Sequence, residues 1–525
     1  MGNGSDDADQ FNRLGHEAFL AGDAALAVRL FGQAILIAPS AAQFHANIAA
    51  AHLVLQHTKD AEAHARRAIR LDPTLAEGHH NLGNGLFAIG DAEAALACFR
   101  IARDLDPASE AHWTNILFTQ VFCAGETAAA VFAENRAWGR RIEAAAGPVE
   151  PPVAVDPDPE RPLNLAYFLP ELDTHVTPRF LAPVLAAHDR DRFRLSVYGH
   201  RSDARPPPAL LTPPGVRWID TQGLAPPDIA TVMRRDGIDV LIHPCTFKAR
   251  YRIVLAYRAA PVQMAGINFV SSTGLIATDY LLGDAALMPP GKDADLFTET
   301  IVRLPLFNCY GIPDDAPPVT DLPALRNGFV RFGSLNNPTK IGDAALHAWA
   351  EVLRRVPASR ILLKHRAFDD ADVRAHFTAR FAAAGVEAGR LDFAGFTAAV
   401  RGYLAAYDEI DIALDPFPFN GGTTSYEAIW MGVPVLTRTG AGLMGSQTTS
   451  LMTGVGHPEF VSKSQSSFVD KAISLCGDLG RLAQVRAGLR AAARASIFDN
   501  VRYARNLEDA VRDSWRRYCA TARTI

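Results

Sequence analysis

Three prolines, Pro39, Pro73 and Pro107, stand 34 residues apart, and each closes the same phrase. Backwards from Pro39 come Ala34, Phe31, Ala27, Ala18 and the pair Leu14-Gly15. Backwards from Pro107, at the same offsets, come Ala102, Phe99, Ala95, Leu86 and Leu82-Gly83. The middle copy reads Ile48-Ala49, His52, Ala61, Ala65, Ala68, Pro73. A constant period marks a stacked array, because one small supersecondary unit cannot bury its apolar face alone. Small residues let two helices approach closely, and proline, which has no amide proton, ends the second helix of each pair. An ordinary helical bundle would not predict so fixed a period. A degenerate fourth copy, with Trp113 at its first anchor and Ile116 and Ala129 further on, is expected to cap the stack.

These phrases resemble tetratricopeptide repeats, and the resemblance implies a concave face that holds extended peptide or protein. The repeats are expected to span 9–145. Gly147-Pro148-Val149-Glu150-Pro151-Pro152, followed by Pro157, Pro159 and Pro162, cannot continue a helix and predicts a linker at 146–161. Beyond it the rhythm changes to short apolar strands alternating with amphipathic helices. Strands are expected at Leu163–Leu169, Arg194–Tyr198 and Val240–His243, with helices at Phe180–His188 and Ile229–Arg235. A second set runs through strand Val330–Ser334, helix 343–355, strand Arg360–Lys364 and strand Ile410–Leu414. Such alternation predicts parallel, doubly wound sheets, so the fold class is α followed by α/β, with two lobes at 162–325 and 326–525. Arg205–Pro227, with its seven prolines, reads as a loop excursion. The stretch Arg494 to Trp515 is expected to form a terminal helix that crosses back to the first lobe.

Composition narrows the function. The 525 residues carry 52 Lys and Arg against 57 Asp and Glu, a net −5, with no basic stripe to neutralise a nucleic-acid backbone. Nucleic acid is therefore not expected as partner. The six cysteines, Cys98, Cys123, Cys245, Cys309, Cys476 and Cys519, lie far apart without a CxxC pair, which favours a reducing cytoplasm over a disulfide scaffold or cysteine zinc site. The start is acidic and polar where a signal peptide would be basic and then apolar, and no apolar run reaches the length of a membrane span.

The densest chemical signal is Asp411-Ile-Ala-Leu-Asp415-Pro-Phe-Pro-Phe-Asn420-Gly421-Gly422-Thr423-Thr424-Ser425-Tyr426-Glu427, which runs on to Gly432-Val433-Pro434. It reads as a buried strand, a turn rich in glycine and hydroxyls, then a helix with Thr423 or Thr424 near its N-cap and another strand at Val435. Unpaired amides at a helix start, reinforced by the dipole, make a site for a diphosphate. Glu427 is expected in the first helical turn, where it could accept both hydroxyls of a ribose or simply stabilise the dipole.

The segment resembles the nucleotide-sugar site of the O-linked N-acetylglucosamine transferase and SPINDLY family, whose members join tetratricopeptide repeats to a two-lobed GT-B glycosyltransferase. The order of parts matches over essentially the whole chain. The resemblance assigns donor binding to Asn420, Gly421, Gly422, Thr423, Thr424 and Glu427. Phe332-Gly333-Ser334-Leu335-Asn336-Asn337-Pro338-Thr339-Lys340 resembles a second family motif, which adds Asn337 and gives Lys340 the task of neutralising the leaving phosphate. Alone, Lys340 would read as a solvated lysine at a helix start. A third match, Pro170-Glu171-Leu172-Asp173-Thr174-His175, offers His175 as general base or as a group orienting the acceptor hydroxyl, against a loop histidine bonded to backbone.

Departures from the family cluster on the sugar or acceptor side. Tyr403 and Cys245 stand where histidines are usual, Gly266 to Gly274 keeps only the ends of a family phrase and carries Asn268 and Thr273, and Ser446 replaces a basic residue. Buried polar contacts discriminate substrate hydroxyls, so the sugar need not be N-acetylglucosamine. Asp-x-Asp pairs at Asp104–Asp106, Asp156–Asp158, Asp189–Asp191 and Asp293–Asp295 fall in a repeat, the linker and loops, which argues against a metal-binding transferase motif. The expectation is an inverting, metal-independent glycosyltransferase, without a bound cofactor, that acts in the cytoplasm on Ser or Thr of a protein held by the repeats. Relatives that modify flagellin make flagellin the first candidate acceptor. Two other readings stand beside it: a repeat scaffold with an inactive transferase, and a nucleotide-sugar enzyme acting on small glycans.

Overall fold

Each copy of the 34-residue period is a pair of helices in the computed structural model, which describes residues 3–147, 156–169, 176–201, 207–243, 249–267, 271–291, 294–312 and 315–522. Helices α1 (Asn3–Leu20) and α2 (Ala24–Ile37), α3 (Ala42–Val54) and α4 (Thr58–Leu71), and α5 (Ala76–Ala88) and α6 (Ala92–Leu105) pack pairwise, and α7 (Glu110–Thr119) follows. Ala27, Ala34, Ala61, Ala68, Ala95 and Ala102 have no exposed surface. A methyl on Gly15 would lie 2.7 Å from the Phe31 ring, and one on Gly83 2.6 Å from Phe99, so the glycine of the Leu-Gly pair is a socket for an aromatic ring. The prolines lie two residues past each helix end. Their carbonyls pair with the residue six further on: His45 Nε2 at 3.1 Å, His79 Nε2 at 3.0 Å and Trp113 Nε1 at 3.2 Å. Trp113, the expected fourth anchor, thus repeats a bond of the earlier copies.

The chain divides into two compact units, one of residues 1–125, 331–398 and 416–418, the other of 126–330, 399–415 and 419–525. In the first, three parallel strands, β8 (Arg331–Ser334), β9 (Arg360–Lys364) and β10 (Leu391–Ala394), lie in the order β10-β9-β8. Gly90, at φ +86° between α5 and α6, presses on this region, since a methyl there would lie 2.9 Å from the Pro338 carbonyl oxygen.

The second unit begins with α8 (Ala128–Ala146), which is fastened to the α/β part backbone to backbone. A methyl on Gly139 would lie 1.9 Å from the Gly274 oxygen. Arg136 donates to that oxygen at 2.8 Å, and Arg252 donates to Asn135 at 2.9 Å while lying over the Trp138 ring.

The seven strands β1 (Leu163–Leu169), β2 (Phe193–Gly199), β3 (Val216–Asp220), β4 (Val240–His243), β5 (Val262–Ala265), β6 (Tyr280–Gly283) and β7 (Thr300–Arg303) form a parallel sheet in the order β3-β2-β1-β4-β5-β6-β7. Leu165 of β1 is opposite Leu195 and Val240, in a sheet buried on both faces, which is why these strands read as unbroken apolar runs. Chain order reverses direction between β1 and β4, the position where such sheets open a crevice. β3 corrects the expectation of a loop over 205–227: the prolines flank Val216-Arg-Trp-Ile-Asp without interrupting it, and its edge position tolerates them. β11 (Ile412–Leu414), β12 (Val435–Arg438) and β13 (Val461–Ser462) are also parallel, in the order β11-β12-β13.

The terminal helix Asn500–Ala522 packs on helix Val176–Ala187. Its Trp515 donates to the Asp158 carbonyl at 3.1 Å, and its Arg512 to those of Pro159 and Arg161. No helix among the described residues is long and apolar enough to cross a membrane.

Candidate functional site

Asp415 follows β11 and is 1% exposed, and both its oxygens are used to fold the next residues back. Oδ1 accepts the Gly421 amide at 2.6 Å and Oδ2 the Thr437 hydroxyl at 2.6 Å. The Asn420 amide donates to the Met444 carbonyl, and the Thr448 hydroxyl to that of Gly421. A methyl on Gly421 would sit 2.3 Å from Ser425 Oγ, so any side chain there must displace the bonded hydroxyl.

The loop delivers the chain into helix Thr423–Trp430, with Gly422 at the N-cap and no side-chain cap among the described residues. A helix cannot satisfy its first amides internally, and those groups with the dipole behind them are what a phosphate accepts from. Gly422, Thr423 and Thr424 reach solvent, whereas Asn420 and Gly421 are buried.

Glu427 is the fifth residue of this helix, and no acid stands in the first turn, so the expected first-turn placement is corrected by one turn. The dipole explanation for Glu427 weakens accordingly. Glu427 is 4% exposed. The Tyr310 hydroxyl donates to Oε1 at 2.8 Å, while Oε2 has no partner of hydrogen-bond geometry among the described residues. Burial pushes its carboxyl up to about 7, against the opposing pull of Tyr310, Arg179 and Tyr403. Tyr426 stacks on Tyr310 with centroids 5.2 Å apart, and the Tyr407 hydroxyl donates to the Thr424 carbonyl at 3.0 Å. The carboxyl thus has one bonded and one buried, unpartnered oxygen, one turn inside a helix start without a side-chain cap.

The second unit therefore brings together Asn420, Gly421, Gly422, Thr423, Thr424, Glu427 and the half-buried Tyr403. It also adds Tyr310 and Arg179, which sequence reasoning missed. Arg179 had a signal, being four residues after His175 in the same post-strand phrase; Tyr310 had none. Thr273 is elsewhere engaged: its amide donates to Glu299 at 2.6 Å, its hydroxyl bonds the same carboxylate, and it has no exposed surface. Ser446 is buried at the N-cap of helix Gln447–Gly454 without capping it. In the first unit, Asn337 accepts the Thr339 amide at 3.2 Å and fixes the turn Pro338–Lys340, where Lys340 is half-buried. His175, Cys245 and Asn268 lie outside the described residues.

Comparison with known proteins bears on the whole arrangement. The family model described as glycosyl transferase family 41 matches residues 318–507. The probable UDP-N-acetylglucosamine–peptide N-acetylglucosaminyltransferase SPINDLY of Oryza sativa subsp. japonica is 34% identical over 368 residues, covering 69% of this chain and 40% of that protein. The protein of the same description from Solanum lycopersicum is 33% identical over 422 residues, 79% of this chain and 45% of that one. The chain thus spans less than half the length of these curated relatives. A solved structure of an O-GlcNAc transferase mutant from Thermobaculum terrenum is 33% identical, covers 99% of this chain and 100% of that one, and superposes with a TM-score of 0.88. Helical repeats followed by parallel α/β sheets, the tetratricopeptide plus GT-B fold, are common to both.

Proposed function

Because the chain belongs to glycosyl transferase family 41, with the O-GlcNAc transferases and SPINDLY proteins, we propose that it is a protein O-glycosyltransferase that moves a sugar from a nucleotide donor to a Ser or Thr hydroxyl. The observation that carries this reading is Glu427, buried with Oε2 unpartnered among the described residues, one turn inside the uncapped helix start at Thr423. First-turn amides and the hydroxyls of Thr423 and Thr424 serve the donor phosphate, and the carboxylate serves the ribose hydroxyls. Ribose is common to UDP, GDP and CMP donors, so this contact does not select the base.

In the reaction the acceptor oxygen attacks the anomeric carbon. The bond from that carbon to the donor phosphate oxygen breaks with inversion, and the hydroxyl proton passes to His175 or to the departing phosphate. Lys340 and the amides of 422–424 offset the charge that develops on the leaving group, the Gly421 amide being taken up by Asp415; elsewhere that task falls to a divalent ion. Asn337 holds the turn that carries Lys340. The repeats dock the acceptor, with flagellin the first to try, and the reaction belongs to the cytoplasm in this reading.

The test is intact-mass measurement of coexpressed candidate acceptors, followed by purified enzyme with a panel of UDP-, GDP- and CMP-sugars. Single-sugar increments that vanish with Lys340→Ala are expected. Nucleotide binding without turnover on any donor would point instead to a repeat scaffold with a silent transferase. Undiminished activity on small glycans after removal of the repeats would displace the protein acceptor.

A further inference from the structure

The second repeat departs from its neighbours at several positions, and three of the departures, His52, His57 and Asp60, converge in space. Before their second helices the first and third copies have Gly22-Asp23 and Gly90-Asp91; the second has Gln56-His57. Asp23 and Asp91 accept the amides of Leu26 and Ala94 and so cap α2 and α6. His57 makes no capping bond to α4. Gln56 takes φ 62°, the left-handed conformation that glycine occupies at 22 and 90. In the same copy His52 replaces Ala18 and Leu86, and Asp60 replaces Leu26 and Ala94. The second copy has thus exchanged its cap and its glycine for two imidazoles and a carboxylate.

His52 Nδ1 and His57 Nδ1 face each other at 3.4 Å. One ligand atom from each of His52, His57 and Asp60 lies within 4.8 Å of the others. Two nitrogens bound at about 2.0–2.1 Å to a tetrahedral ion stand roughly 3.3–3.4 Å apart, so the imidazole pair already has the bite of a chelate. His64 stacks on His52, centroids 5.7 Å apart and nearly parallel, and its Nδ1 is 3.1 Å from that of His45, which holds the His52 ring in place. His52 is buried while His57 and Asp60 are exposed, so an ion reaches the site from solvent and keeps water on its open side.

We propose that the turn between α3 and α4 binds a divalent transition ion, zinc by its ligand chemistry, through Nδ1 of His52, Nδ1 of His57 and a carboxylate oxygen of Asp60. Two imidazoles and one carboxylate suit zinc rather than magnesium or calcium, which take oxygen donors. The ion ties the end of α3 to the start of α4 and supplies the fastening that Asp23 and Asp91 give the other copies. It is a structural site of the repeats and takes no part in sugar transfer.

The test uses the full chain, stripped with a chelator and then titrated with zinc chloride against a chromophoric competitor, with thermal unfolding in parallel. One equivalent bound per chain and a higher unfolding temperature with zinc are expected. His57→Asn, which installs a capping residue, and His52→Ala, the residue of the first copy, each weaken binding by about tenfold or more and remove the thermal shift. His16→Ala, on an exposed face of α1, keeps both. No one-equivalent phase in the unaltered chain, or binding unchanged in both cluster variants, overturns the site. Equal loss in His16→Ala assigns the binding to scattered surface imidazoles and overturns it as well.

Discussion

Gly83 in the third repeat and Gly421 after β11 are both positions where an added methyl cannot fit, but different atoms crowd them. Around Gly83 stand carbons of Phe99; around Gly421 stand Ser425 Oγ at 2.3 Å, Thr424 Oγ1 at 2.9 Å and Asp415 Oδ1 at 3.0 Å. The repeats hold a second solution to their crowding, since the middle copy replaces the Gly–Phe pair with Ala49 and Ala65. The loop after β11 has no such copy, and both oxygens of Asp415 and the Ser425 hydroxyl are already bonded. Apolar packing between neighbouring repeats is close to additive, whereas a buried polar network fails as a unit. The second unit should therefore be brittle where the repeats are forgiving.

The sharpest expected contrast is at Glu508, which is fully buried in the terminal helix. Burial holds His188 neutral, so its Nδ1 donates to Glu508 at 2.9 Å and its Nε2 accepts from the Tyr167 hydroxyl at 2.7 Å. Burial alone would raise the Glu508 carboxyl, but hydrogen bonds from His188, the Asp189 amide and Arg505 bring it down to about 2. Glu508→Ala leaves those donors without an acceptor and should cost about 3–5 kcal/mol in chemical unfolding. With a depressed folded value, the contribution is present above the ordinary carboxylate range near pH 4.5 and fades as pH falls toward 2. A loss under about 1 kcal/mol would break the contrast, because surface pairs of the repeats are worth that much.

Glu427 sharpens the comparison with the opposite sign. Its carboxyl titrates near 7 in the folded chain against 4.5 ordinarily, so its stabilising share is complete below pH 4.5 and is lost as pH rises through 7. Glu427→Gln keeps an acceptor for Tyr310 without a charge to bury. Above pH 7 the variant should be the more stable by up to about 3 kcal/mol, with equality near pH 4.5. Saturating nucleotide should narrow that gap if ribose hydroxyls donate to the ionised form. Equal pH profiles for the two chains would remove Glu427 from the set of poised groups.

The glycines themselves can be exchanged. Gly421→Ala and Gly83→Ala should each cost about 1–3 kcal/mol in thermal unfolding, as overpacking does. Phe99→Ala, which with Gly83→Ala recreates the middle copy, should cost less in the Gly83→Ala background than alone, whereas Ser425→Ala should show no such coupling with Gly421→Ala, since Thr424 and Asp415 still crowd the methyl. Favourable coupling at both sites, or at neither, would show that the two regions absorb volume alike.

The same contrast governs what could be read in advance. Strands 163–169, 240–243 and 360–364 and helix 343–355 have the expected bounds, because runs buried on both faces are apolar throughout and one amphipathic face repeats locally. The repeat period and the Gly-Gly-Thr-Thr turn were legible for a similar reason, each being a local demand met by contiguous residues. Tyr310 was not, since a fold 117 residues in span brings it to Glu427 and nothing near Tyr310 in sequence marks the meeting. β3 was hidden by composition, and the facing pair of His52 and His57 because five residues across a turn put two side chains together only once the turn's backbone is known.

The smallest expected effect tests the repeats against one another. Asp91→Ala removes the acceptor for the Ala94 amide and should cost about 1 kcal/mol, as loss of a capping aspartate does. His57→Asn places a capping side chain where α4 has none, so in chelator-treated protein it should gain several tenths to 1 kcal/mol. The two changes lie in separate copies with no shared partner, so their effects should add within about 0.5 kcal/mol in denaturant unfolding. Additivity here alongside absent coupling at Gly421 would place the forgiving behaviour in the stacking of repeats rather than in helices as such. Coupling beyond that margin would mean that the repeats, too, share a network, carried through the histidines that line successive copies from His45 to His112.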